Sequence, residues 1–261
     1  MGSATTQALA ASTNALAAAS GITLDTAGEF FSAAALVGES SQLSGALADS
    51  TAPAGSRAAV VAKVFAGASP AVRDVLTVVA GQRWSTAADI VDAIEELAIR
   101  ATAIAEPTSD IEGELFSFLR VVADNPELEL ALGSRLGDSA SRSALVGKLL
   151  TGASASVKLI TTSLVRQPRG RRIRQLLNRA MSIVSLQRGR TVATVHTAAP
   201  LSAAQSTRLS DALARRYGAQ VSLNVVIDPT VVGGLRVQIA DDVIDGSISA
   251  RLADLRHKLA G

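Results

Sequence analysis

Gly28-Glu29-Phe30-Phe31-Ser32 returns 85 residues later as Gly113-Glu114-Leu115-Phe116-Ser117, and this repetition decides the fold. At the same offset, Val37, Leu43, Ala46 and Leu47 return as Val122, Leu128, Ala131 and Leu132. Further on, Ser56, Arg57, Ala59, Val61, Lys63 and Gly67-Ala68-Ser69 return as Ser141, Arg142, Ala144, Val146, Lys148 and Gly152-Ala153-Ser154. From Gly28 to Ser69 this makes 16 identities in 42 ungapped positions, and pairs such as Val60/Leu145 and Val64/Leu149 differ conservatively. Identity at one fixed offset marks a duplicated structural unit.

Each copy reads as a bundle of short helices. Asn125-Pro126-Glu127 provides an N-cap, a proline at the first helical position and an acid in the first turn. Leu128, Leu132 and Leu136 continue it as an apolar stripe. Ser141 precedes another helix, with Leu145, Val146 and Leu149 facing inward and Gly152 ending it. A last helix runs from Arg171 to Leu186. Its Ile173, Leu176, Leu177, Ala180, Ile183 and Val184 follow the 3,4 spacing of a buried stripe, and its other face carries arginines. The offset maps Trp84–Ile104 onto both the end of the first copy and the start of the second. One long shared helix is therefore expected, with Ile90, Ile94, Leu97 and Ala101 buried.

After Gly189 the period changes. Thr191–Thr197 is rich in β-branched residues and reads as a strand. Ser202 and Gln205 have capping-box spacing and open a helix to Arg216, closed by Gly218. Val221, Leu223, Val225 and Ile227 alternate with polar residues as in a half-buried strand, and Leu235, Val237 and Ile239 form another. Asp245-Gly246-Ser247 caps a final helix with Ile248, Leu252, Leu255 and Leu259 on one side. The expected class is thus mainly α with a small α+β C-terminal domain. Its divisions are a first helical bundle at 1–85, a second at 86–188 and a β-α-β-β-α unit at 189–261.

Composition agrees. The 261 residues are 48% hydrophobic but only 3% aromatic, so the apolar content is aliphatic and suits helices packed through small side chains. Mean hydropathy is +0.31. A membrane span needs about 20 predominantly apolar residues, and the best stretch, Thr5–Leu24, is interrupted by Ser, Thr, Gln and Asn. A soluble, cytoplasmic chain is expected. The absence of cysteine excludes disulfides, thiolate metal sites and cysteine nucleophiles.

Motifs for chemistry are missing. His196 and His257 have no metal-ligand spacing, and Gly147-Lys148-Leu149 lacks the flanking residues of a phosphate loop. There is no GxGxxG or GxSxG pattern. Asp241–Gly246 places Val243 where a calcium loop needs an oxygen ligand. Glu95-Glu96 and Asp241-Asp242 are adjacent pairs that diverge and cannot bracket one bond. Lys63 and Lys148 read as solvated helix residues, Trp84 as a core or interface anchor, and Gly233-Gly234 as a tight turn. No catalytic, cofactor or metal site is expected.

Charge is segregated. Twelve Lys or Arg and no Asp or Glu lie between Ser139 and Ser210, against a net charge of only +2. The arginine-rich stretch Arg166–Arg190 is open to two readings: a solvated or partner-facing basic helix, or a nucleic-acid contact. The second lacks interleaved aromatics for base stacking.

The last third resembles the delta subunit family of F-type ATP synthases, called the oligomycin-sensitivity protein in mitochondria. The residues that carry the likeness are Thr191–Ser202, Tyr217-Gly218-Ala219-Gln220-Val221, Val225–Ile239 with its Asp228-Pro229-Thr230-Val231-Val232-Gly233-Gly234 core, and Asp245–Leu252. The basic helix and the Asn125-Pro126 segment extend it over the second helical copy. The additional copy in front resembles the long form found in actinobacteria. The resemblance implies a non-catalytic peripheral-stalk subunit on the cytoplasmic face of the plasma membrane, one per complex, with no cofactor. It would bind N-terminal helices of the head's alpha subunits through its helical region and the ends of the stalk's b subunits through its tail. The positions implied are Leu9, Leu16, Val72 and Val75 for the former, and Ile248, Leu252, Leu255 and Leu259 for the latter.

Overall fold

The computed structural model describes residues 2–133, 139–239, 242–248, 250 and 252. The helices are α1 (Ser3–Ala18), α2 (Leu24–Glu39), α3 (Ser41–Ala48), α4 (Ala54–Val64), α5 (Pro70–Gly81), α6 (Ala87–Ala105), α7 (Ile111–Asp124), α8 (Pro126–Gly133), α9 (Ser139–Leu149), α10 (Ala155–Arg166) and α11 (Ile173–Gln187). Then follow β1 (Arg190–Thr197), α12 (Ala203–Tyr217), β2 (Gln220–Ile227), β3 (Leu235–Ile239) and β4 (Asp242–Asp245). The chain divides into two compact units, Met1–Ile183 and Val184–Gly261.

Within the first unit, shifting α1–α6 by 85 residues lays them over α6–α11, so α6 serves both copies. Side chains local to each helix start it. Thr23 with Thr26 and Thr86 with Asp89 form capping boxes on α2 and α6, Asp110 accepts from Gly113 N–H at α7, and Ser154 accepts from Val157 N–H at α10. Phe30, Ala34 and Val37 of α2 fall on one face at helical spacing and are buried. The shared helix α6 is buried on more than one side, along Ile90, Ile94, Leu97 and Ala101 and also along Val91, Ala98 and Thr102.

The duplication extends to individual hydrogen bonds, which explains why polar residues recur in it. Glu29 Oε2 accepts from Ser69 N–H at 2.8 Å, and Glu114 Oε2 from Ser154 N–H at 2.7 Å. Each carboxylate satisfies an orphan amide at the start of the fifth helix of its copy, where the helix dipole favours negative charge. Arg57 Nη1 donates to Gln82 O at 2.7 Å at the end of α5, and Arg142 Nη2 to Arg166 O at 3.2 Å at the end of α10. Arg73 Nη1 donates to Ala66 O and Lys158 Nζ to Thr151 O, again 85 residues apart. In contrast, Lys63 and Lys148 are exposed.

Two local expectations are corrected. In α9 Val146 is buried as expected, but Leu145 is only half-buried and Leu149 is 42% exposed, and the next buried residue is Leu150 just after the helix, four positions from Val146 on the same face. Leu136 lies outside the described residues. Trp84 precedes the shared helix instead of starting it. Its indole is buried and Nε1 donates to Val79 O at 2.9 Å, the usual partner-seeking behaviour of a buried indole.

In the second unit the sheet order is β2-β1-β3-β4. β1 and β2 are parallel, joined through α12, and β3 and β4 add antiparallel. The capping box of Ser202 with Gln205 opens α12, and Gly218 closes it at φ 70, in the left-handed region. Ala193, Val195, Leu213, Val221, Val237 and Ile239 form the core. β2 departs from simple alternation: Asn224 and Val226 on its second face are also buried, and Ile227 is exposed where the strand ends. Sequence alone gave no sign of β4, a four-residue edge strand. Gly234 has φ 78, and a Cβ there would lie 2.5 Å from Gly246 O, so the second glycine of the pair is required by a turn and by close backbone approach. Ser247 Oγ accepts from Ala250 N–H, and Ile248, Ala250 and Leu252 are helical as the capping signal implied.

Candidate docking surfaces

Small side chains on α1 and α5 keep these two helices close and leave a groove between them. Ala15, Ala18, Ala19, Pro70, Val75 and Val78 line it, with Asp74 on its rim, around a cavity of about 570 Å³. Of the positions implied by the resemblance, Leu16 and Val72 are buried within the unit itself, Val75 forms the groove floor, and Leu9 is half-buried. The accessible lining is therefore mostly small residues, alanine with serine and glycine, which a search for large apolar stripes passes over. Alignment of α1 with α6 through the repeat was the signal available for finding it.

A larger cavity of about 850 Å³ opens between α7, α8 and the start of α11, lined by Val122, Pro126, Glu129, Leu130, Arg171 and Arg172 among others. Its most exposed apolar residue is Leu130, at 73%.

The arginine-rich segment does not form a free basic face. Arg169 and Arg171 donate to Glu95 Oε2 at 2.6 and 2.8 Å, and Arg179 reaches Glu95 at 3.7 Å and Glu96 at 3.4 Å. Asp92 stands beside all three, Arg100 pairs with Glu96 at 2.8 Å, and Arg174 pairs with Glu129. Arg169 and Gly170 take positive φ, 50 and 78, in the turn that delivers these guanidiniums to α6. Burial of Glu95 and Glu96 demands such partners, since an unpaired buried carboxylate is costly. The acids of α6 thus take up Arg169, Arg171 and Arg179, three of the arginines that looked available to nucleic acid.

On the second unit Val232, Val243, Ile248 and Leu252 are exposed at 76, 44, 48 and 56%. Leu255 and Leu259, expected on the same stripe, lie outside the described residues, as does His257. His196 on β1 has Nδ1 3.6 Å from Asp228 Oδ2. The Asp228 carboxyl is held below the usual carboxylate range by the Thr230 hydroxyl and by the Thr230 N–H, with His196 adding to the effect. These contacts shape the turn after β2 and leave no nucleophile poised beside a base. Among the described residues no group of three or more His, Asp or Glu is placed to hold a metal ion, and no helix is long and apolar enough to cross a membrane.

Two helical copies, the first with a groove between α1 and α5, followed by a small mixed sheet bearing exposed aliphatics, define a protein whose accessible features are docking surfaces. The family model for the ATP synthase delta (OSCP) subunit matches residues 98–259, beginning inside α6 and spanning the second copy and the tail. The chain is 48% identical over 264 residues to ATP synthase subunit delta of Leifsonia xyli subsp. xyli, covering 100% of both chains. It is 42% identical over 241 residues to ATP synthase subunit delta of Streptomyces avermitilis, covering 90% of this chain and 88% of that one. With ATP synthase subunit delta of Thermobifida fusca it shares 38% over 240 residues, 89% of each. The chain belongs to the ATP synthase delta (OSCP) family. It is accordingly a non-catalytic subunit of the peripheral stalk of the F-type ATP synthase, peripheral to the membrane-associated complex that couples proton transport to ATP synthesis.

Proposed function

We propose that this chain joins the catalytic head to the stalk by holding an N-terminal helix of an alpha subunit in the α1/α5 groove and the C-terminal ends of b subunits on its second unit. One copy serves each complex, at the cytoplasmic face of the plasma membrane. The observation that carries this reading is the α1/α5 groove, about 570 Å³ with a floor of Val75 and walls of mostly small side chains, a shape that accepts the apolar stripe of a helix. Support for the b contact comes from Val243, Ile248 and Leu252, large aliphatics left exposed on the second unit. A stator must resist rotor torque, and many distributed contacts serve that better than one strong one.

The test is capture of alpha and b subunits from detergent-solubilised membranes by the tagged chain, with nuclease treatment as control. Both subunits are expected to be retained, and alpha is expected to be lost when its N-terminal helix is deleted. Retention of alpha without that helix overturns the groove assignment.

A further inference from the structure

The duplication poses a question of number, because each copy contains a counterpart of the same groove: α1/α5 in the first and α6/α10 in the second. Resting on the docking role proposed above, we infer that α2 of the first copy takes the place of a partner helix against α6 in the second groove, so that the chain presents one site for a partner helix and not two.

The reasoning starts from topology. Because α6 is the last helix of one copy and the first of the next, its partner in the first copy, α2, is brought alongside α10 of the second. α2 packs along α6 and reaches α10. Gly38 of α2 lies against Val91, and Gly28 faces Leu159, where a Cβ would sit 3.8 Å from Leu159 Cδ1. Phe31, Ser32 and Leu36 of α2 line one wall, and Leu159 and Ser163 of α10 the other, of the crevice of about 680 Å³ that remains between these two helices. Those two residues are the counterparts of Asp74 and Val78, which line the open groove. Gln167 Nε2 donates to Glu39 Oε1 and closes the far end.

Burial gives an independent record of the covered face. Thr6, Ala10, Asn14, Ala17 and Ala18 of α1 are exposed. Their counterparts Val91, Ile99, Thr102 and Ala103 on α6 are all buried, while Glu95, the counterpart of Ala10, is covered by Arg169 and Arg171. The same helix face is thus open in one copy and occupied in the other. The intrachain occupant also specifies the partner chemistry: a helix carrying small residues four apart, as Gly28 and Ser32 are, flanked by Phe31 and Leu36. Asp74 replaces the leucine of the second copy at the rim, so the external helix is expected to place a basic or polar residue there.

The probe is a synthetic peptide of the alpha subunit's N-terminal helix, titrated calorimetrically into the full chain. One peptide per chain is expected. Ala18→Trp, at an exposed position that fills the open groove, is expected to weaken binding at least about tenfold, as loss of a central contact does. Leu159→Trp is expected to leave affinity unchanged. Asp74→Arg is a second groove variant, and unchanged thermal unfolding of both shows that they fold. Two peptides per chain, or one whose affinity falls in Leu159→Trp and not in the α1/α5 variants, overturns the inference. Absence of any binding overturns instead the docking role on which it rests. Spin labels at Ser32 and Ser163 provide a separate readout: their distance is expected to stay fixed on peptide addition, and widening would mean that α2 is displaced.

Discussion

Replacing Glu95 by Gln tests whether the acids of α6 anchor the arginine-bearing turn. The Glu95 side chain is 8% exposed and receives Arg169 at 2.6 Å and Arg171 at 2.8 Å. Glutamine keeps the volume, removes the charge and can accept through one oxygen only. Breaking a fully buried pair by removing one partner costs roughly 3–5 kcal/mol. Here the Arg169 and Arg171 side chains are 25% and 24% exposed, so water screens them in part and about 2–3 kcal/mol is the expected loss. For a unit of this size that corresponds to a fall in melting temperature of about 5–10 °C. Trp84, the single tryptophan, is buried in the turn just before α6 and reports on this unit in a urea titration. Asp124→Asn is the control, since its contact with Arg120 is 3.7 Å long and exposed, and a change below about 0.5 kcal/mol is expected. If Glu95→Gln also costs less than about 0.5 kcal/mol, the network behaves as a surface pair and the argument that it consumes the basic segment fails.

Other outcomes follow from the same structure. Glu29→Gln and Glu114→Gln each weaken a carboxylate cap on a helix amide. Each is expected to cost about 1–2 kcal/mol in denaturant unfolding, with the double variant near the sum because the two sites share no partner. Gly234→Ala places a methyl 2.5 Å from a backbone carbonyl at positive φ, and a loss of the β3–β4 amide protection in hydrogen exchange is expected, whereas wild-type protection would contradict the close approach. The carboxyls of Asp228 and Asp245 are held below their ordinary range, chiefly by the hydroxyls of Thr230 and Ser247 respectively. A lowered folded-state value means that their stabilisation is complete above the unfolded carboxylate pKa and is lost as pH falls through the lowered one. Acid unfolding of the second unit should therefore flatten in Asp228→Asn, and an unchanged acid limb would argue against the turn as its source. Leu252→Glu is expected to reduce ATP-driven proton pumping while the ATPase rate of the detached head is kept; undiminished pumping would remove that face from the b contact.

Much of the fold was legible because its signals are local. The capping box of Ser202 with Gln205, Pro126 after Asn125, and Gly218 after α12 act within four residues of themselves, so these boundaries could be read from composition and spacing. β4 was not legible because a short edge strand is held by its neighbour and not by its own pattern. The docking groove was half legible. The expected partner positions included Leu16 and Val72, but large aliphatics of this kind are the ones a bundle buries for itself, and the open lining is made mostly of small residues.

By itself the sequence determined that the helical region is duplicated, that one helix serves both copies, and that the tail is a small mixed sheet with helices, because periodicity, capping and turn chemistry depend on neighbours in the chain. Only the tertiary structure decided that Arg169, Arg171 and Arg179 are committed to α6, and that a face left open on α1 is covered on its counterpart α6. Both depend on which element is packed across from a given side chain, and α1 and α6 differ in that respect although the repeat makes them equivalent in sequence.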